Sequence, residues 1–313
     1  MTLSATELGR ALTQLAIRQT IRATARFSVE QQRRTVHSLI EFTGALPMLR
    51  RRVRENMGLA LGSDVPVQSD SRYFHHLGWY LGNALSTFHH GLESTPVLGE
   101  IKFDETVRLL DDAVSRGRGV VVVSPHWSGH EFVAAAFSRK HETVFLVRQA
   151  PTGERMERKL RWYKALGAEI VLRPTHTSSI KDAVAYLNIL KKGKILCITP
   201  DLLTDSEQGI AVQIFGRPAR LPGGAFAIAL AARSPMLLPH FNWESDSRVV
   251  VHWERVCLFG DTGDRAGTIR RAAQDWCVWF EDRLRANPEN WLFWLDKRWS
   301  RFLRASSSAS DAA

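Results

Sequence analysis

An α/β fold, with a mostly parallel central sheet flanked by helices and a helical N-terminal segment before it, is what this 313-residue sequence predicts. Three observations carry that expectation. From about residue 100 onward, short apolar β-branched runs alternate with helical stretches, the rhythm of strand–helix–strand units. One of those runs, Val120 to Val123, has no polar interruption at all, as a strand buried on both faces requires. Before residue 99 the periodicity is helical only, so residues 1–98 are expected to pack on an α/β core spanning 99–304, with a Ser/Ala-rich tail, 305–313, predicted to be disordered.

Residues 5–26 place Leu8, Leu12, Leu15 and Ile17 among arginines, an amphipathic pattern with a basic face. They lack the continuous apolar run of a signal peptide or a bilayer span. Helical periodicity continues from Val29 to Leu61 and closes on Arg50-Arg51-Arg52-Val53-Arg54, the densest basic cluster. A polar loop, Gly62 to Asp70, separates it from a helix over Tyr73 to Leu92 that carries His75, His76, His89 and His90. Adjacent histidines on a helix point to different sides, and no carboxylate or cysteine is spaced to join them, so no metal is expected.

The core then reads as a helix over Glu105 to Ser115, the Val120 strand, and an Ala-rich helix after Glu131. Strands follow at Thr143 to Val147, Glu169 to Leu172 and Ile195 to Thr199, separated by helices over Glu154 to Leu166 and Ser179 to Leu190. A helix from Gly224 to Arg233, strands near Met236 to Phe241 and Val249 to Trp253, and a long helix from Thr268 to Arg285 complete it.

Hydrophobic residues at 44% and charged residues at 24% describe a chain able to bury a core, while the formal net charge of +10 points to an acidic partner. Its candidates are an anionic membrane surface, a phosphorylated substrate or an acidic carrier protein. The basic residues are dispersed and no nucleic-acid motif stands out, so nucleic acid is not expected. Three distant cysteines, Cys197, Cys257 and Cys277, form neither a metal spacing nor a disulfide framework and fit a reducing, cytoplasmic setting.

The chemistry concentrates just past the Val120 strand, in Ser124-Pro125-His126-Trp127-Ser128-Gly129-His130-Glu131. Loops at the carboxyl ends of strands are where α/β sheets hold their reactive groups. A strand-end histidine oriented by a carboxylate becomes a general base, so His126 is expected to be catalytic and Glu131 to support it. Rivals are weaker: His-x3-His-Glu is not the order of zinc proteases, Gly-x-Ser-x-Gly is absent, and no Gly-rich phosphate loop follows a strand. Two further strand ends, Arg173 and the Asp201 of Thr199-Pro200-Asp201, would share the cleft as substrate-binding residues, Arg173 facing a phosphate or developing oxyanion and Asp201 orienting Arg173 or the acceptor.

These residues resemble the lysophospholipid acyltransferase superfamily, and within it the lipid A biosynthesis (lauroyl and myristoyl) acyltransferase branch. His126 and Glu131 match its His-x4-Asp/Glu signature, Asp201 its strand-end Asp, and Arg173 lies near its site Arg. The block Phe215-Gly216-Arg217-Pro218-Ala219 with Gly223, Leu230, Ala231 and Pro239, and the closing Asn290 to Trp299 element, are similar to that branch. The resemblance implies a glycerolipid acyltransferase-like fold and transfer of a fatty acyl group from an acyl carrier protein or coenzyme A thioester to a hydroxyl. The acceptor would be a (glyco)lipid such as a lipid A precursor, with no resident cofactor or metal. By the same resemblance Gly216 and Arg217 would lie near the acceptor, and the protein would sit in the cytoplasm or peripherally on the inner face of the cell membrane. A soluble hydroxyl- or amine-bearing acceptor, or a non-enzymatic role as a basic anionic-lipid-binding protein, are the competing readings.

Overall fold

The computed structural model describes residues 18–63, 65–174, 180–207, 209–256 and 263–305. Most of the basic amphipathic segment, the Ser/Ala tail beyond residue 305, Ser179 and Cys257 lie outside them. Among the described residues, no helix is long and apolar enough to cross a membrane.

After helical residues at 18–24, the described part of the chain runs through α1 (Val29–Ala45), α2 (Pro47–Leu61) and α3 (Ser69–His90). Ser28 starts α1 through a capping box with Gln31, which satisfies two otherwise unpaired N–H groups. The continuous helical periodicity read over residues 29–61 is broken at Leu46, because Pro47 cannot continue the preceding helix and instead opens α2 at its first position. α1 lies directly on α3. A Cβ at Gly82 would stand 2.9 Å from the Arg33 carbonyl oxygen, and one at Gly78 would collide with the His37 ring.

The core begins with β1 (Ile101–Phe103), α4 (Arg108–Ser115), β2 (Val120–Val123) and α5 (His130–Phe137). β3 (Thr143–Arg148), α6 (Gly153–Ala165), β4 (Glu169–Arg173), α7 (Ile180–Lys191) and β5 (Ile195–Ile198) continue the alternation. Next come β6 (Ile210–Ile214), β7 (Arg217–Leu221), α8 (Gly224–Ala232), β8 (Met236–Ser245) and β9 (Arg248–Val256). Helices α9 (Arg265–Ala286) and α10 (Lys297–Ala305) end the chain.

Seven strands form one sheet in the order β1-β9-β8-β2-β5-β3-β4, parallel throughout except for the β8–β9 hairpin. All four valines of β2 are buried, as a central strand covered on both faces must be. Two elements differ from expectation. β1, three residues long, adds a strand at the β9 edge, too short to register as a periodic pattern. The Phe215-Gly216 block is a separate antiparallel hairpin, β6–β7, turned by Phe215 at φ 53° and Gly216 at φ 68°. Positive φ at both central positions is the geometry of a tight type I′ hairpin turn.

One step in the topology matters most. After β2 the chain runs out to β3 and β4 and then returns to place β5 between β2 and β3, hydrogen-bonded to both. The carboxyl ends of β2 and β5 therefore emerge side by side.

Candidate active site

The register of β2 against β5 pairs Val123 with Ile198. Three residues beyond each of them stand His126 and Asp201, after the matched sequences Ser124-Pro125 and Thr199-Pro200. Proline ends the ladder on both strands, and the two chains turn toward each other. The Asp201 Oδ1 accepts from His126 Nδ1 at 2.6 Å, and its Oδ2 accepts from the His126 backbone N–H at 2.9 Å. An aspartate fully enclosed by protein holds a histidine that remains 20% exposed.

The carboxylate is held in turn by tryptophans from the chain's end. Trp291 Nε1 donates to Asp201 Oδ2 at 2.9 Å, and Trp299 Nε1 donates to the Asp201 carbonyl at 2.9 Å. Residues 290–292 run along the His126 loop: the Ser128 N–H donates to the Asn290 carbonyl at 2.7 Å, and the Leu292 N–H to the His126 carbonyl at 3.0 Å. The Phe293 ring lies against the imidazole, with centroids 4.4 Å apart. Burial by itself would raise the Asp201 pKa. The adjacent His126 charge and the hydrogen bonds from His126 and Trp291 outweigh it, so the carboxyl stays below its ordinary value. An ionised Asp201 is acceptor-only, which assigns the proton to His126 Nδ1 and leaves the Nε2 lone pair for a proton from elsewhere.

Glu131 does something else. It was expected to orient His126; in the structure the His126 Nδ1 is bonded to Asp201, and the Glu131 carboxylate, at the start of α5, is hydrogen-bonded to other side chains. Its Oε2 accepts from Tyr80 on α3 at 2.7 Å and its Oε1 from Trp162 Nε1 on α6 at 3.0 Å. Burial pushes its pKa up, but neighbouring His130 and the Tyr80, Trp162 and Tyr163 donors bring it below the ordinary value. The carboxylate thus ties α5 to the helical N-terminal segment and to α6. Gly129, at φ 93°, makes the approach close, since a Cβ there would come within 2.8 Å of the Trp79 ring. His130 is half-buried, and desolvation lowers its pKa; its Nδ1–H donates to the Trp127 carbonyl at 3.0 Å.

His126 and Glu131 both open onto a cavity of about 1160 Å³. Its walls divide by chemistry. Val36, Leu39, Ile40, Leu81, Leu85 and Phe88 of α1 and α3 make one side apolar. Arg148, Arg155, Arg158, Lys159 and Arg173 from the ends of β3 and β4 and from α6, with Arg298, make the other side cationic. Arg173 faces Arg148 across the paired ends of the two strands; burial lowers its pKa, and Arg148 lowers it further. Glu131 is the one acidic side chain lining this space among the described residues.

Of the residues expected from sequence, His126, Glu131 and Arg173 line the cavity, and Asp201 lies beneath its floor. Gly216 and Arg217 do not reach it. They form the β6–β7 turn, pinned to α9 by the Phe215 N–H donating to Glu281 Oε1 at 2.7 Å, with Phe215 packed on Trp291 and Trp299. Sequence reading did not place Tyr80 or Trp162 beside Glu131, nor the cationic α6 side chains at the site; Trp291 and Trp299 entered only as a terminal motif. The one available signal was aromatic density at residues 291–299.

A sequence profile of the family described as bacterial lipid A biosynthesis acyltransferase matches residues 105–301. The chain belongs to this family. A phosphatidylinositol mannoside acyltransferase of Mycobacterium tuberculosis (strain CDC 1551 / Oshkosh) is 24% identical over 203 residues, 64% of this chain and 60% of that protein. The chain thus aligns with about three fifths of this relative's length. In this family member the matched region contains β2, β5, both carboxylates and the tryptophan clamp, and it leaves out α1–α3, which supply the apolar wall.

Proposed function

We propose that this protein transfers a fatty acyl group from an acyl carrier protein or coenzyme A thioester to a hydroxyl of a glycolipid acceptor, with His126 as general base and Asp201 as the residue that orients it. The observation that carries this reading is the fixed His126–Asp201 pair opening onto one cavity with an apolar and a cationic half. His126 Nε2 takes the proton of the acceptor hydroxyl as its oxygen attacks the thioester carbonyl. The imidazolium so formed is stabilised by Asp201 and returns the proton to the departing sulfur, leaving an ester and a free thiol. No serine or cysteine lines the cavity among the described residues, which favours direct transfer over an acyl-enzyme.

At about 1160 Å³ the cavity exceeds the roughly 300–1,000 Å³ of ordinary small-molecule sites, as a ligand with a long chain and a polar head requires. The α1–α3 wall suits the acyl chain. The arginines suit phosphate, whether on phosphopantetheine or on the acceptor headgroup. A lipid acceptor is favoured over a soluble one by the surface beside the mouth: Leu39, Phe42, Leu46 and Met48 are 51%, 69%, 45% and 72% exposed. That apolar row beside basic residues fits peripheral contact with an anionic membrane face, the setting expected to be cytoplasmic.

The test incubates purified protein with palmitoyl-coenzyme A or palmitoyl-acyl carrier protein and either a lipid A precursor or a phosphatidylinositol mannoside, reading acylated product by mass spectrometry. His126→Ala should lower turnover at least ~100-fold. Full activity in that variant would refute the mechanism. Turnover only with a soluble hydroxylated acceptor would refute the lipid assignment.

A further inference from the structure

α1 and α3 bring together a second set of titratable side chains that the acyl-transfer chemistry does not use. His37 and Glu41, four residues apart on one face of α1, meet His75 of α3. His75 Nδ1 lies 2.8 Å from Glu41 Oε1 and 3.2 Å from His37 Nε2, and the last two atoms are 3.5 Å apart. Three potential ligand atoms thus form a nearly equilateral triangle. Around tetrahedral zinc, with Zn–N and Zn–O near 2.0–2.1 Å, ligand atoms stand ~3.3 Å from one another.

The hydrogen-bond geometry also favours positive charge at the triangle, supplied by a proton or a metal ion. His75 Nε2 is 3.0 Å from the Asp246 backbone carbonyl, which can only accept, so the proton of a neutral ring sits on Nε2. The Nδ1 lone pair then faces a carboxylate oxygen and a second imidazole nitrogen. A proton on His75 Nδ1 or on His37 Nε2 bridges two of the three atoms at a time, so protons and a metal ion are alternative occupants of the triangle. A metal ion satisfies all three at once, and the Nε2–H to carbonyl bond is the outer contact that metal-bound imidazoles characteristically make.

We propose that His37, Glu41 and His75 form a binding site for a transition-metal dication of the zinc class, which fastens α1 to α3. Two imidazoles and one carboxylate favour zinc over magnesium or calcium, which take all-oxygen sites. Glu41 is half exposed, leaving the fourth position for water. The role is structural: residues 36, 39 and 40 of the same helix form cavity wall, so the ion sets how firmly that wall is held. The site is independent of the acyl-transfer reading. A second cluster, His240, His252 and Glu254, has its charges already paired, with Asp104 on His252 at 2.7 Å and Arg283 on Glu254 at 3.6 Å, and serves as a control.

The experiment titrates the chelator-treated full-length chain with zinc chloride by calorimetry, and with cobalt chloride by its ligand-field absorption. Wild type and His240→Gln should each take up one equivalent and gain thermal stability with zinc. His75→Ala and Glu41→Gln should bind at least ~tenfold more weakly, since losing even an outer-shell partner costs ~10–100-fold. Circular dichroism without metal reports folding, and Glu41→Gln, which keeps the side-chain shape, decides the matter if His75→Ala fails to fold. Absence of stoichiometric uptake by wild type, uptake unchanged in Glu41→Gln, or uptake lost in His240→Gln would each overturn the proposal.

Discussion

Replacing Asp201 by Asn removes one charge and two lone pairs from a site where nothing else can compensate. Asp201 Oδ2 accepts from the His126 N–H and from Trp291, both at 2.9 Å, while Oδ1 accepts from His126 Nδ1. An asparagine keeps the two Oδ2 bonds only by placing its oxygen there, which aims its NH2 group at Nδ1. His126 must then turn that nitrogen into an acceptor and carry its proton on Nε2, where the lone pair for the acceptor hydroxyl is needed. The imidazolium of the transition state also loses its counter-charge. A wrong tautomer of this kind costs ~10⁴ in kcat in the serine-protease triad, or about 5 kcal/mol of transition-state stabilisation. The same order is expected here, with KM for the thioester little changed because Asp201 lies beneath the cavity floor. The assay is the initial rate of free-thiol release from a long-chain acyl thioester in the presence of acceptor. Circular dichroism checks the fold, since the second amide N–H, buried without a partner, costs ~1–3 kcal/mol of stability. A folded Asp201→Asn protein with kcat within ~threefold of wild type would refute the assignment of Asp201 to His126.

Glu131→Gln should act mainly on stability: one amide oxygen cannot accept from both Tyr80 and Trp162, and the donor left over in a buried site costs ~1–3 kcal/mol in a denaturant melt, with a smaller fall in kcat than Asp201→Asn. Arg173→Ala should raise KM for the thioester or phosphorylated acceptor ~tenfold and flatten its dependence on salt, measured by turnover at increasing ionic strength; an unchanged KM would place the phosphate elsewhere. His240 gives a pH dependence with a definite sign. Burial first, then the charges of His252 and Arg283, lower its pKa to about 4 from an ordinary 6.5. As pH falls from 6.5 toward 4, the unfolded chain takes up a proton that the folded protein refuses. Stability should therefore drop across that window and level off below it, by on the order of 2 kcal/mol after solvent screening. His240→Gln should remove this part of the slope in urea midpoints collected between pH 7 and pH 4.

Which carboxylate serves His126 was not legible from spacing. His126 and Glu131 are five positions apart in one loop, and the loop's path decides whether they meet. Gly129 in a left-handed conformation and the start of α5 at His130 send Glu131 toward α3 and α6 instead. Asp201 is 75 residues from His126, and its pairing depends on β5 inserting beside β2 with Val123 opposite Ile198. Strand order is a property of the whole sheet, set by how every neighbouring strand buries its faces, and no local pattern encodes it. The metal-like triangle is similar. His37 and Glu41 lie on one helix face and are readable as a pair, but His75 joins them only because glycines at 78 and 82 let α3 approach α1 closely.

Local physics carries the rest of the account. An uninterrupted Val120–Val123 run made a central strand, alternating periods made a mostly parallel sheet, and proline after β2 and β5 made two strand-end loops able to carry reactive groups. Those features follow from side-chain volume, branching and backbone donors over a few residues, so the sequence by itself determined them, and it singled out His126 as the candidate base. The tertiary structure alone decided its partner, the tryptophan clamp behind that partner, the placement of Gly216 and Arg217 on a hairpin outside the cavity lining, and the two-sided cavity. Each of these joins residues tens to hundreds of positions apart, and such contacts exist only after the chain has exchanged its conformational entropy for a packed core.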